Sequence, residues 1–490
     1  MYDVAIVGGG VVGCAIAREL SRFHLNTVLL EKHAEVGFGT SKTNSGIIHA
    51  GQQTARNTLK GMLEVRGNAM FDTLQAELGF GFHRCGELVV ASTPEQIPAL
   101  EEMKRVGEEK GVPGLEMWGP ERIRREEPNL SSHLVAALHA PSAGVINPYE
   151  FAFALIECAE RNGVQLKVDC PVVAMTVQAD HIVVKTPSED VPARFVINAA
   201  GVYADQVAAM LGLHDFTIHP RKGEEYLLDK RVQGVVRRLV FPVPTKSSKG
   251  ILIIPTFDGT IMVGPTALEH EDREDVATTY EGSDQVFGFV RRICPSIDER
   301  TTIAEFAGVR AVSNTGDFII GPTSVKGFIN VAGIQSPGLT ASPAIAEHVV
   351  KILGKEGLSL VEKDDFNPHV EAPPRFAQQS NAKRKELLAK DRRFGKLVCR
   401  CELVTEAEVH LAIDHGARTV DGVKFRTRAG MGRCQGGFCT TRVMEILAER
   451  LGVPFDAVTK RGGSSWIVTP MDGQTTSDAR AAEPVPAGEG

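Results

Sequence analysis

The chain has 490 residues, 43% of them hydrophobic and 23% charged, which is the composition of a folded globular protein with room for about two to four domains. A net charge of −7 gives no basic footprint, so nucleic acid is not expected as a partner. The sequence has no apolar run of about 18 residues and does not open on a basic-then-apolar leader. Its nine cysteines, an odd number, do not read as a secreted disulfide framework, and a reducing, cytoplasmic setting is expected.

The first elements read strand, turn, helix, strand. Tyr2–Val7 is apolar, Gly8-Gly9-Gly10-Val11-Val12-Gly13 is a glycine turn, and Val12, Ile16 and Leu20 recur at helical spacing in a helix expected to end at Asn26. Thr27–Leu30 resumes an apolar strand that ends at Glu31, a βαβ start that favours an α/β sheet. Residues 58–78 read as helix, and 94–130 as a charged, helical surface insertion. Strands alternate over 165–200, and the runs at 225–228, 251–255 and 261–263 suggest a second, mostly antiparallel sheet. After a strand at 328–331 comes a helix expected to be capped by Ser342 with Pro343 in its first turn, its apolar face carrying Ile345, Val349, Ile352 and Leu353. Residues 362–395 read as a polar linker, 396–462 as a small module, and 463–490 as a flexible tail rich in Gly, Pro and Ala.

Gly8-x-Gly10-x-x-Gly13 follows a strand, opens a helix and precedes an acidic strand end, which is the context a dinucleotide fingerprint requires. The glycines let backbone approach a pyrophosphate, the helix N-terminus offers N–H groups to that anion, and Glu31 can accept from ribose hydroxyls. The acidic residue suits FAD and NAD alike. The dense run of small polar residues from Gly37 to Gly46 favours FAD, whose ribityl chain and ring need a second lining. His49 directly follows that run and is the candidate base, since imidazole exchanges protons near neutrality. Cys399-x-Cys401 and, after 32 intervening residues, Cys434-x4-Cys439 form a four-thiol set that suits zinc or a [2Fe–2S] cluster. Neither pair has the C-x2-C knuckle spacing of structural zinc. Glycines 432, 436 and 437 crowd the second pair, so a cluster is the favoured reading. The other five cysteines read as buried bystanders.

These segments, with Asn198-Ala199-Ala200-Gly201, Pro220-Arg221-Lys222-Gly223-Glu224, Phe306-Ala307-Gly308-Val309-Arg310 and Gly333-Ile334-Gln335-Ser336-Pro337-Gly338-Leu339-Thr340, resemble the glycerol-3-phosphate dehydrogenase branch of the D-amino-acid-oxidase-like FAD oxidoreductases, over about residues 1–355. L-2-hydroxyglutarate dehydrogenases are close relatives of that branch. The segment 396–450 resembles the bacterioferritin-associated-ferredoxin-like [2Fe–2S] domain found at the C-terminus of anaerobic-type large subunits. The resemblance implies an α/β, overall α+β, fold over 1–361. Its Rossmann-type FAD-binding parts would span about 1–80, 145–215 and 300–361, and its antiparallel substrate domain about 81–144 and 216–299. It further implies cofactor contacts from Gly8, Gly10, Val12, Gly13, Glu31, Lys32, Thr40, Ser41, Asn44, Ser45, Gly46, Val173, Ala200, Gly201, Gly308, Gly338, Leu339 and Thr340. Substrate contacts would come from Ser45, Lys249, Arg310, Gln335 and Ser336, with His49 and Arg310 catalytic. Some relatives carry a histidine where Gln335 stands, which puts more weight on His49 and leaves the substrate open: sn-glycerol 3-phosphate, a 2-hydroxy acid or an amino acid. Cys399, Cys401, Cys434 and Cys439 would hold the cluster, which would pass electrons to a quinone or a partner redox subunit. Assembly into a hetero-oligomer, and peripheral attachment to the inner face of the cell membrane through a partner, would follow from that role.

Overall fold

The computed structural model describes residues 1–244 and 250–469. It divides into two units, Met1–Ala372 and one beginning at Pro373. In the first unit, an eight-stranded sheet is built on parallel pairing of Tyr2–Val7 with Asp190–Asn198 on one side and Thr27–Leu30 on the other, with Gln165–Lys167 beyond. The central strands Tyr2–Val7 and Thr27–Leu30 are mostly apolar because both sheet faces are covered there, and Val28, Leu29 and Leu30 are at most 2% exposed. The crossover helix Val11–Leu20 packs against helices Pro148–Arg161 and Gly338–Lys355. It stops at Leu20 rather than Asn26. Phe23 turns inward to bridge Glu362, and Asn26 belongs to the next strand's entry, its N–H donating to the Asp3 carboxylate at 3.0 Å.

The second sheet has nine strands. All its pairings are antiparallel except that of Glu87–Ala91 with Leu239–Pro242. Two expectations change here. Segment 94–130 is not merely a surface insertion: between helices Ile97–Glu109 and Pro120–Glu126 it supplies the edge strand Glu116–Trp118, with Trp118 only 2% exposed. The strand Thr302–Ser313, expected with the FAD-binding parts, pairs along the whole of Ile218–Leu228 and so belongs to the second sheet.

The last long helix of this unit begins at Gly338, four residues before the expected cap. Pro343 then lies in its second turn and leaves the Leu339 carbonyl without its usual N–H donor. The Ser342 hydroxyl donates to that carbonyl at 2.9 Å, so it repairs the helix instead of capping it. Segment 362–395 is no spacer either. Lys363 and Val370 donate backbone N–H groups to Arg22 and Glu77, while residues from 373 form helix Asn381–Lys390, whose Leu387 packs with Phe394 and Ala407. Apolar residues in the polar stretch decide the outcome.

The second unit wraps helices Glu406–Asp414, Val420–Thr427 and Thr440–Leu451 around Val409, Ile413, Val423, Met444 and Leu447. Part of the expected tail stays on it: Thr459 bridges Trp466, and Lys460 donates to the Ser465 carbonyl. Residues 470–490 of that tail lie outside the described residues.

Candidate active site

The first glycine turn brings three chain segments together. Gly8 adopts φ +108°, where a side chain is strained, and a Cβ there would stand 2.5 Å from the Ala199 carbonyl oxygen. A Cβ on Gly13 would stand 2.0 Å from the Gly8 carbonyl oxygen, so this helix can pack on its strand only with glycine. Gly10 precedes the helix in extended conformation without a side-chain cap. Ser41 reaches across from the second loop to accept the Val11 N–H at 2.9 Å, and half-buried Val12 follows. Glu31 accepts N–H groups from Gly9 at 2.7 Å and His33 at 2.9 Å. Burial raises its carboxyl pKa, and those N–H groups pull it back. Asn198 orders the Ala199–Gly201 turn by donating to the Ala204 carbonyl and to Asn330. Lys32 points elsewhere, over the Tyr203 ring at 3.9 Å and toward Glu274 at 3.4 Å. Val173 is exposed and donates its N–H to Lys185.

The second loop is tied to both sheets. Thr40 donates its hydroxyl to the Val309 carbonyl at 2.7 Å. Asn44 bridges the Ser41 carbonyl and the Gly46 N–H, and Ser45 donates to Glu225 at 2.7 Å. His49 follows, 8% exposed and clamped through its backbone. Its N–H donates to the Thr340 hydroxyl at 3.0 Å, and its carbonyl accepts from Asn68 at 2.8 Å. Its Nε2 lies 3.3 Å from the Ser336 Oγ, and its ring is tilted against Phe241. Thr340 is fully buried, and its hydroxyl also donates to the Ile47 carbonyl at 3.4 Å. Helix Leu59–Leu78 supplies Asn68 and crosses helix Gly338–Lys355 at backbone contact: a Cβ on Gly67 would stand 2.1 Å from the Thr340 carbonyl oxygen. Gln335 is half-buried and Ser336 exposed, just before the uncapped N-terminus at Gly338 and half-buried Leu339.

The paired strands Ile218–Leu228 and Thr302–Ser313 supply the anion anchor. Arg221, Gly223 and Glu225 alternate onto the same face as Gly308 and Arg310. Arg310 lies over Gly223, where a Cβ would stand 2.3 Å from its Nη2, and it donates to the Thr266 carbonyl at 3.2 Å. A Cβ on Gly308 would strike the Thr43 carbonyl oxygen at 2.4 Å, which brings the second loop against this sheet. Burial pushes the Arg310 pKa down, and Glu225 draws it back up. Lys222 faces the other way into a 2.8 Å ion pair with Asp275, and Arg221 pairs with Glu269. Lys249 lies outside the described residues. Glu225, on the same sheet face as Arg310 and bonded to Ser45, is the residue of this site that motif reading missed. The period-two alternation from Gly223 was the available signal.

In the second unit the four thiols stand as two pairs. Cys401 Sγ is 3.6 Å from Cys434 Sγ, and Cys399 is paired electrostatically with Cys439. The Cys439 thiol draws the Cys399 thiol down to about 6, helped against burial by N–H groups of Gly430, Glu402 and Cys401. For Cys434, burial is outweighed by N–H groups of Phe438 and Gly436 and by the Cys401 thiol. A Cβ on Gly432 would strike the Cys401 Cβ at 2.3 Å. Four thiols beside backbone N–H donors are a donor set that fits a [2Fe–2S] cluster.

Residues 3–352 match the family described as FAD dependent oxidoreductase. The chain belongs to that family. The residues of this oxidoreductase fit FAD: the glycine turn leaves no side chain between backbone and a pyrophosphate, and the helix that begins at Gly338 has no side-chain cap. Residues 397–449 match the BFD-like [2Fe-2S] binding domain, so the oxidoreductase uses FAD in its first unit and a [2Fe–2S] cluster in its second. A glycerol 3-phosphate dehydrogenase of Caloramator mitchellensis is 43% identical over 98% of this chain and 100% of its own. A glycerol 3-phosphate oxidase of Mycoplasma pneumoniae is 32% identical over 76% of this chain and 98% of its own. The solved structure of dithionite-reduced L-α-glycerophosphate oxidase from Mycoplasma pneumoniae with FAD bound matches with a TM-score of 0.73 at 31% identity, covering 76% of this chain and 99% of that one.

Proposed function

We propose that this oxidoreductase converts sn-glycerol 3-phosphate to dihydroxyacetone phosphate and sends the electrons through its second unit to a quinone or a partner redox subunit. The observation that carries the reading is the end-to-end likeness, cluster module included, to a relative named a glycerol 3-phosphate dehydrogenase. The Mycoplasma relative named an oxidase is matched over nearly its whole length by only 76% of this chain, which favours a different electron exit here.

When bound, FAD supplies the hydride acceptor and the cluster a one-electron carrier. The chain's own residues do the rest. Arg310 holds the phosphate dianion through a planar fork, and its burial strengthens that attraction. His49 Nε2 takes the proton of the secondary hydroxyl, with the Ser336 hydroxyl 3.3 Å away to hold the imidazole in line. Thr340 and Asn68 keep the His49 backbone fixed while the proton moves.

Anaerobic addition of glycerol 3-phosphate to the purified holoenzyme tests the reading. Flavin bleaching followed by an EPR signal from the reduced cluster supports it. No bleaching with this substrate beside clear bleaching by L-2-hydroxyglutarate or an amino acid overturns it. In Cys434→Ser, flavin bleaching should persist while transfer to the acceptor is lost.

A further inference from the structure

Glu225 is 3% exposed on the substrate-side strand. Its Oε1 accepts the Ser45 hydroxyl at 2.7 Å, and its buried Oε2 has no hydrogen-bond partner among the described residues. Gly264 on the neighbouring strand makes room for it, since a Cβ there would stand 3.1 Å from its Cα and 3.3 Å from its Cγ. Among the described residues, the charged group that acts on it is Arg310, from the neighbouring strand. Ser45 of the second loop, Gly264 of the next strand and Phe306 across the pair are uncharged. Arg221, further along its own strand, is ion-paired with Glu269.

A buried carboxylate with one oxygen unsatisfied stays ionised only while a nearby positive charge favours it. Here that charge is the guanidinium expected to receive the substrate's anionic group. Once an anion sits on Arg310, its charge offsets the guanidinium and repels the carboxylate that shares this sheet face on the paired strand. Protonation removes the repulsion and turns an acceptor-only group into an O–H donor.

We propose that Glu225 couples the binding of a dianion at Arg310 to the uptake of one proton from solvent, converting its carboxylate to the neutral acid. This rests on the reading of Arg310 as the anion anchor of the proposed reaction. Burial already places the Glu225 carboxyl at about 7, so the coupling falls in the physiological range. Glu225 is thus a positioning residue that acts through Arg310 and sets how substrate affinity varies with pH. Affinity is flat below about pH 7 and weakens by up to about tenfold per pH unit above it.

Sulfate is the probe, since it is a dianion across the whole range and adds no titration of its own. Calorimetric titration of the FAD-loaded full chain at pH 6.0, 7.0 and 8.0, in two buffers of different ionisation heat, gives both Kd and the number of protons taken up. The expectation is a Kd that rises roughly severalfold to tenfold between pH 7 and 8, with uptake of about half a proton at pH 7. Glu225→Gln keeps an acceptor for Ser45 and should bind sulfate with a pH-independent Kd and no proton uptake. A flat Kd with no uptake in the unmodified protein overturns the proposal, and so does a variant that keeps the original slope. The proton count on the unmodified protein decides even where the variant loses its flavin. Arg310→Met should abolish sulfate binding, and binding that survives this change refutes the anchor. If proton-linked sulfate binding is present but glycerol 3-phosphate is not oxidised, the failure belongs to the proposed substrate and the coupling stands.

Discussion

Thr340→Val tests whether the backbone of the candidate base is held by one side chain. The Thr340 hydroxyl accepts the His49 N–H at 3.0 Å and donates weakly to the Ile47 carbonyl at 3.4 Å. Valine has nearly the same shape, so the packing against helix Leu59–Leu78 is kept and no cavity opens. What changes is that a buried N–H loses its acceptor at a site where Thr340 is 0% exposed and water has no entry. The cost of such an orphan is about 1–3 kcal/mol, with the long bond to Ile47 adding little. Thermal unfolding of the first unit should therefore fall by a few degrees, using the scale of roughly 2–4 °C per kcal/mol for domains of 150–250 residues as an upper guide. The catalytic effect should be larger than the stability effect suggests. His49 shifts relative to Ser336, and misplacement of a reacting group by an ångström can cost on the order of 100-fold in rate. The assay is differential scanning fluorimetry of the holoprotein beside anaerobic stopped-flow flavin reduction, with Thr340→Ser as the control that keeps the hydroxyl. If Thr340→Val matches the unmodified protein in both melting temperature and flavin reduction, this bond does not position His49.

Three further outcomes are expected. Gly223→Ala should displace the Arg310 guanidinium, since its Cβ would stand 2.3 Å from Nη2, and should raise KM by about tenfold or more with a smaller effect on kcat; an unchanged KM would place the anion elsewhere. Ser342→Ala removes the donor to the Leu339 carbonyl beside Pro343 and should cost about 1 kcal/mol, read by chemical denaturation, with wild-type stability arguing against the repair. Glu225→Gln should change how stability varies with pH. The folded-state carboxyl titrates at about 7, above its unfolded value, so its contribution is fully present below about pH 4.3 and is lost as pH rises to about 7. The variant should lack that decline, with a difference on the order of 3 kcal/mol by pH 8. Parallel stability curves for the two proteins from pH 5 to 8 would contradict the buried charge.

The glycine turn, Glu31 and the four thiols were legible because each is dictated by local chemistry at fixed spacing. The His49 backbone clamp was not, because its partners Asn68 and Thr340 come from helices 19 and 291 residues away along the chain. Glu225 was hidden for a different reason. It opens the strand run read at 225–228, and only the pairing of Ile218–Leu228 with Thr302–Ser313 shows that alternate members face the Arg310 side. The expected start of helix Gly338–Lys355 at Ser342 followed proline's preference for first turns, and the hydroxyl of Ser342 is what lets Pro343 lie deeper. The polar segment 362–395 concealed two docking stretches, because a few apolar residues such as Val370 and Leu387 outweigh many charged ones.

Gly67 has a mechanical meaning beyond its packing role. With the Thr340 carbonyl at side-chain distance from it, helix Leu59–Leu78 bears directly on the first turn of helix Gly338–Lys355, and the same long helix carries Asn68 on the adjacent position. It therefore acts as a lever with two arms on His49, one through Asn68 to its carbonyl and one through Thr340 to its N–H. Both ties on the His49 backbone therefore depend on where this one 20-residue helix sits.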